Sequence, residues 1–223
     1  QRIRGDLIGQ FHIFQSRQVT DQVMDAFERF HNAARELASY SEAAHVGDEP
    51  FEIDIQCVSD AARRRSRQDG FRRLWAGLDG QVYFPSALQN PNLFDKDKAG
   101  EALKALHQLR HAADMQQLPS PFYAILLMDG DQLGSHMGDP DKQGPISEAL
   151  NTFTNGVGKI VRKHNGFLVY AGGDDVLALL PLEDALPAAA DLQGFYKGCF
   201  AEKAKGLVAS TLSGAIQYVH IRT

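Results

Sequence analysis

The sequence predicts an α+β fold, with the clearest rhythm in its second half. Apolar runs of strand length occupy residues 123–128, 167–169, 176–180 and 211–220. Two longer stretches between them carry apolar residues at the three-and-four spacing of a helix face. The two middle runs are joined by Tyr170-Ala-Gly-Gly-Asp-Asp-Val176, a short glycine-bearing turn that reads as a hairpin. The order is strand, helix, hairpin, helix, strand. That order suits an antiparallel or mixed sheet with helices on one face.

Each element has a local reason. Residues 11–14 look extended, and Thr20 then caps a helix whose positions Val23, Ala26, Phe27, Phe30, Ala34 and Leu37 fall on one side. Phe51, Ile53, Ile55 and Cys57 alternate with Glu52, Asp54 and Gln56, the period of a strand with one wet face. Residues 85–98, rich in Pro, Asn and Asp, read as loop; a helix with Leu103, Leu106, Leu109 and Arg110 follows. Pro119, Ser120 and Pro121 close it, which places a boundary between an N-terminal region, residues 1–118, and a second domain, residues 119–223. In the second domain the first strand ends at Asp129-Gly130-Asp131, and a polar loop leads to Pro145. The next helix presents Ile146, Leu150, Phe153, Val157, Ile160 and Val161 and stops at Asn165-Gly166. Residues 182–204 read as the last helix, with Pro187 in its first turns.

Composition narrows the function classes. A 223-residue chain that is 43% hydrophobic can bury a real core, as one large domain or two smaller ones. The formal net charge of −5 argues against indiscriminate nucleic-acid binding, so such contact would need a local patch. The arginines among residues 63–73 read as a solvated helix face, and His107, His111 and His164 as ordinary helix residues. Cys57 and Cys199 form neither a disulfide framework nor a Cys-x-x-Cys metal knuckle, which favours a reducing cytoplasm; Cys199 reads as a small buried hydrophobe. No apolar stretch has membrane-spanning length. The chain opens at Gln1 and stops at Thr223 just after a strand-like run. It reads as a fragment, a processed form, or a sequence from which loops have been removed.

The acids carry the chemistry. Gly172 and Gly173 can take the positive φ of a tight turn, which displays Asp174 and Asp175 at its tip. Two adjacent carboxylates repel each other, and a divalent cation would neutralise them. Asp129 ends another strand. If the strands are neighbours, Asp129, Asp174 and Asp175 converge into a set suited to Mg²⁺ or Mn²⁺, hard cations that take oxygen ligands and leave positions for phosphates and water. Two such ions can activate an attacking hydroxyl and stabilise a leaving pyrophosphate. Gly130 and Gly134 permit close backbone approach, and successive amides from Gly130 to Ser135 can form a nest for a triphosphate.

Three segments, Tyr123-Ala-Ile-Leu-Leu-Met-Asp-Gly-Asp-Gln-Leu-Gly134, Ile146-Ser-Glu-Ala-Leu150 and Tyr170-Ala-Gly-Gly-Asp-Asp-Val-Leu-Ala-Leu-Leu-Pro181, closely resemble the large subunit of type III-B CRISPR effector complexes, the Cmr complexes. The resemblance covers residues 119–220, and Leu78-Asp-Gly-Gln-Val-Tyr-Phe84 fits it more loosely. It implies a ferredoxin-like Palm domain related to nucleotide cyclases and polymerases. The residues before it would supply a degenerate Palm-like partner. It further implies condensation of ATP into cyclic oligoadenylates when the complex binds target RNA. By resemblance Asp129 and Asp174, with Asp175 beside them, hold Mg²⁺ or Mn²⁺ with the Gly130 backbone, and Asp174 and Asp175 are catalytic. The turn and nest residues Gly134, Ser135, Gly172 and Gly173, with Asp131, are expected to contact the nucleotide, the Asp131 side chain pointing away from Asp129 if the strand persists. Its implied partners are the other subunits of the ribonucleoprotein, with crRNA and target RNA reached mostly through the complex, in the cytoplasm and without a membrane.

Departures from the family also carry expectations. There is no His-Asp dipeptide for a nuclease domain, two distant cysteines cannot make the family's four-cysteine zinc site, and its helical C-terminal domain is missing. Three other functions compete. A diguanylate cyclase places similar acids on a hairpin but prefers Phe where Val176 stands, and a non-catalytic scaffold could bind nucleotide or metal without turnover. An RNA polymerase Palm fits the turn, but the chain is too short for fingers and thumb.

Overall fold

The computed structural model describes residues 20–35, 37, 80–115, 120–205 and 207–220. The chain divides into two compact units, 1–121 and Phe122–Ile221. The expected strands at 11–14 and 51–57, and the arginine run, lie outside the described residues.

In the first unit, helix α1 (Asp21–Arg35) begins as its sequence predicts: Thr20 Oγ1 accepts from the Val23 amide at 3.3 Å. Val23, Ala26, Phe27, Phe30 and Ala34 are buried along one face. A 3₁₀ turn (Gly80–Tyr83) brings Tyr83 against Phe30 at 5.3 Å between ring centroids. The supposed loop is partly helical. Pro85 occupies the first turn of a short helix, α2 (Pro85–Leu88), where its missing N–H costs nothing. Asp95 then caps α3 (Lys96–Ala112), accepting from the amides of Asp97 and Lys98. Helices α1 and α3 pack together, α3 presenting Ala99, Ala102, Leu106 and Leu109.

The second unit runs β1 (Phe122–Gly130), α4 (Leu133–Met137), α5 (Pro140–Lys163), β2 (Phe167–Gly172), β3 (Asp175–Leu180), α6 (Leu182–Lys203) and β4 (Leu212–His220). Its sheet order is β2-β3-β1-β4, with every neighbouring pair antiparallel. This is the ferredoxin-like βαββαβ arrangement, interrupted only by the short α4. One face of the sheet is core: Ala124, Leu126 and Met128 of β1 and Val176, Ala178 and Leu180 of β3 are fully buried. They meet Ile146, Ala149, Phe153, Val157 and Val161 of α5 and Leu192, Tyr196 and Phe200 of α6. Burying each such large side chain contributes about 1.5–3 kcal/mol. Cys199 is buried in this core, as a small hydrophobe would be. The alternate positions, such as Leu127 and Tyr218, are exposed.

Helix α5 starts earlier than its sequence suggests. Asp139 caps it by accepting from the Asp141 amide at 3.2 Å, and Pro140 takes the first position. Pro145 therefore lies inside the helix rather than at its start. Its lost N–H falls in the exposed second turn, where water can serve the orphaned carbonyl. The other end follows expectation. Asn165 adopts φ +53°, Gly166 N–H bonds Val161 C=O at 2.9 Å and Asn165 N–H bonds Arg162 C=O at 3.0 Å, the paired closure of a Schellman motif. His164 Nε2 and Lys163 Nζ each lie 2.8 Å from Asp191 Oδ2, joining α5 to α6.

Candidate metal and nucleotide site

The sheet register brings the acids together. In the β1–β3 ladder Met128 pairs with Val176. One step further sets Asp129 opposite Asp175, and the next sets Gly130 opposite Asp174. Since alternate strand residues face opposite sides, Asp129 and Asp175 share the face away from the helices, whereas Asp174 falls on the helix side. Gly173 has φ +63° while Asp174 has negative φ, so the two-residue turn uses glycine at its first central position only. Gly172 is an ordinary strand residue paired with Asp175, with the Tyr170 side chain over it. Thr154 of α5 donates to the Gly173 carbonyl at 3.2 Å and fixes the tip.

Asp129 and Asp175 stand side by side at the end of the sheet. Hydrogen bonding with Asp175, then desolvation and the charges of Asp175 and Asp131, hold Asp129 above its ordinary value of 3.8 against the lowering effect of the Gly130 backbone. Asp174 lies over Gly130. A Cβ at Gly130 would sit 2.6 Å from Asp174 Cβ, 2.9 Å from Asp174 Oδ2 and 2.7 Å from the Tyr196 hydroxyl, so only glycine fits. Two of the three expected ligands thus converge, with the third adjacent. Among the described residues no three His, Cys, Asp or Glu side chains are gathered to hold a cation as they stand. The donor chemistry nonetheless suits one: carboxylate oxygens alone, carried at the same end of neighbouring strands.

Asp131 has a different setting. It shares the Asp129 face by the strand period, yet its Oδ2 accepts from Thr211 Oγ1 at 2.5 Å and Ser213 Oγ at 2.6 Å. Those bonds, Ser213 first, hold its carboxyl below the usual value. Its amide donates to the Thr211 carbonyl at 2.7 Å and continues the β1–β4 ladder. In the turn that follows, Gln132 adopts φ +63° and Ser135 bends back, its amide and hydroxyl both donating to the Gln132 carbonyl. Of the supposed phosphate nest, the Asp131 and Ser135 amides are therefore engaged by the protein itself. Gln132, Leu133 and Gly134 retain amides that no backbone carbonyl among the described residues takes up.

Sequence reasoning missed the neighbours that fix these acids. Tyr196 of α6 places its hydroxyl 2.9 Å from Ser210 Oγ, and Ser210 donates to the Asp131 carbonyl at 2.8 Å. Burial first, then the charges of Asp174, Asp131 and Asp129, push the phenol up to about 12 despite the Ser210 hydrogen bond. The available signal was the hydroxyl-rich Ser210-Thr211-Leu212-Ser213 opening the last strand. Beside this network lies a pocket of about 780 Å³, lined by Gln132, Tyr196, Lys197, Phe200, Val208 and Thr211 among others. That volume is in the range of small-molecule sites. Among the described residues no helix is long and apolar enough to cross a membrane.

Comparison with known proteins agrees with the palm topology. Residues 122–223 match the family described as Cas10/Cmr2, second palm domain. The chain is 26% identical over 232 residues to the CRISPR system Cmr subunit Cmr2 of Pyrococcus furiosus, an alignment covering 87% of this chain and 25% of that protein. A 41-residue stretch is 49% identical to the CRISPR system CMR subunit Cmr2 of Saccharolobus solfataricus, covering 18% of this chain and 4% of that protein. The chain thus spans about a quarter of the length of the first of these relatives and far less of the second. The βαββαβ unit that carries Asp129, Asp174 and Asp175 is the part of the chain that matches the Cas10/Cmr2 second palm domain.

Proposed function

We propose that this chain is the nucleotidyl-transfer part of a type III CRISPR effector complex and joins ATP units into cyclic oligoadenylates when the complex engages target RNA. The observation that carries the reading is the Asp129–Asp175 contact at the end of the palm sheet, with Asp174 beside it over Gly130. Asp131 is held by two hydroxyl donors, whereas no hydroxyl among the described residues donates to the Asp129–Asp175 pair. Asp129, Asp174 and Asp175, with the Gly130 backbone, hold Mg²⁺ or Mn²⁺ in this account. When bound, the cations supply activation of a hydroxyl and charge neutralisation at a departing pyrophosphate. The chain's own residues position and orient: Gly173 keeps the turn tight, Thr154 fixes its tip, and the amides of Gln132, Leu133 and Gly134 face phosphate oxygens.

The reaction joins the ribose 3′-oxygen of one ATP to the α-phosphorus of another, breaks the bond to pyrophosphate and releases the hydroxyl proton to a carboxylate of the cluster or to water. The other subunits, with crRNA and target RNA, supply the signal that starts it.

The test is to incubate the assembled complex with labelled ATP, Mg²⁺ or Mn²⁺ and cognate target RNA, alongside Asp174→Ala plus Asp175→Ala. Oligoadenylate from wild type and a loss of at least a hundredfold in the double variant are expected. Undiminished product from the variant contradicts the acid assignment. Absence of product from wild type favours a non-catalytic scaffold.

A further inference from the structure

We propose that Tyr196 is a positioning residue for the acid cluster, acting through its hydroxyl on the exit of β1 and on Asp174. The inference rests on the metal-binding reading above and adds a residue from α6 that neither motif contains.

The ring is immobilised. Tyr196 is fully buried, edge-on to Phe153 at 5.0 Å and 90° and tilted against Phe200 at 4.6 Å and 35° between ring centroids. Its hydroxyl emerges from that packing at the spot a Gly130 Cβ would fill, which is also where Asp174 Cβ and Oδ2 approach. A methyl group at Gly130 would therefore meet both the phenol oxygen and the Asp174 side chain.

Counting protons gives the network a direction. Ser210 has one hydroxyl proton and donates it to the Asp131 carbonyl. The 2.9 Å contact between Tyr196 Oη and Ser210 Oγ must then be donated by the tyrosine. The chain runs Tyr196 O–H to Ser210 O–H to Asp131 C=O, and it ends on the peptide immediately before Gln132, whose φ of +63° is a conformation that side chains rarely adopt. A second tie from the same helix, Gln193 Nε2 donating to the Leu212 carbonyl at 2.8 Å, holds the start of β4. Helix α6 thus anchors both strands that flank the acids. The phenol sits at the junction: it shapes the β1 exit through Ser210 and crowds the Gly130 position that Asp174 also crowds.

The phenol also stays a donor. An ordinary phenol is protonated at neutral pH, so the direction of the chain holds there.

Removing the hydroxyl alone should loosen the acids while keeping the core. The experiment uses the full chain as wild type, Tyr196→Phe, Ser210→Ala, their double variant, Asp174→Asn plus Asp175→Asn, and Val161→Ala, a core truncation on α5 outside this network. Mn²⁺ affinity is read from the spectrum of the free ion, cation-free hydrogen exchange from the amides of residues 131–134, and stability from thermal unfolding. Tyr196→Phe should weaken Mn²⁺ binding about tenfold, the scale for outer-shell partners of metal ligands, and should speed exchange at 131–134. Ser210→Ala should do the same. The double variant should be no worse than either single, since one chain is broken in each. Val161→Ala should lower the unfolding midpoint yet leave Mn²⁺ affinity and exchange at 131–134 at wild-type levels. Wild-type Mn²⁺ affinity and exchange in Tyr196→Phe, with binding lost in the double-acid variant, overturns this proposal alone. Mn²⁺ binding absent from wild type, or unchanged in the double-acid variant, overturns the metal-binding reading and this proposal with it.

Discussion

Two flanks of one strand end treat a carboxylate in opposite ways. On the hairpin flank Asp129 meets Asp175, another acid, and its carboxyl is held above the ordinary value. On the β4 flank, two residues further on, Asp131 meets the hydroxyls of Thr211 and Ser213, and its carboxyl is held below it. The backbone supplies both positions by the same period of two, so the partner strand makes the difference. A protein that answers one acid with donors and the other with a further acid has built a clamp on one side and an electrostatic vacancy on the other. Divalent cations suit the hairpin flank, and the β4 flank holds the strand end still.

Disturbing the ground common to both flanks should have the largest effect. Gly130→Ala places a methyl group against Asp174 Cβ and the Tyr196 hydroxyl, so it should cost about 1–3 kcal/mol in chemical denaturation and abolish Mn²⁺ binding as measured by calorimetry. Wild-type affinity in that variant would show that the close approach does not shape the site. Neutralising the hairpin flank comes next. Asp175→Asn removes a like-charge neighbour, so the unfolding midpoint of the cation-free chain should rise while Mn²⁺ affinity falls by more than tenfold. A fall in both would mean that Asp175 stabilises the free chain.

The β4 flank should behave the other way. Thr211→Val plus Ser213→Ala removes both donors to Asp131, so its carboxyl should move up towards 3.8 in a side-chain NMR titration and the unfolding midpoint should drop. Mn²⁺ affinity should change by less than about threefold, because the cation site lies on the other flank. The smallest effect is pH dependence. Asp131 binds fewer protons folded than unfolded near its depressed value, so its contribution is present above 3.8 and fades as pH falls through the folded value. Asp129 is the reverse. Folded, it retains a proton above 3.8, so its effect on stability becomes less favourable as pH rises through the raised value, and Mn²⁺ should relieve that loss. Unfolding curves at several pH values, with and without Mn²⁺, should therefore converge at low pH and separate towards neutrality.

Much of this was legible in the chain because its signals are local. The two long helices of the second unit, the glycine turn and the apolar strands announce themselves by period and by turn chemistry, and the Asp174-Asp175 tip follows from them, whereas the short α4 lies where the sequence reads as a polar loop. The Asn165-Gly166 stop was equally readable. Pro145 misled because a proline more often begins a helix, whereas Asp139 and Pro140 had already supplied a cap and first position five residues earlier. Register was not legible, since it depends on which strands pair and at what offset. The contact of Asp129 with Asp175 and the closure of Asp174 on Gly130 both come from that offset. Asp131 looked like one more site acid until β4 placed two hydroxyls beside it. Tyr196 carried no local mark, because an aromatic on an amphipathic helix reads as core, and only its distance to Ser210 shows that the ring ends in a hydrogen-bonded chain.

The most direct measurement is anomalous diffraction from crystals of the chain grown with Mn²⁺ and a non-hydrolysable ATP analogue. The account predicts anomalous density coordinated by Asp129 together with Asp174 or Asp175, with Asp131 still bonded to Thr211 and Ser213. Density at the Asp131 carboxylate, or none beside the Asp129–Asp175 pair, would contradict it.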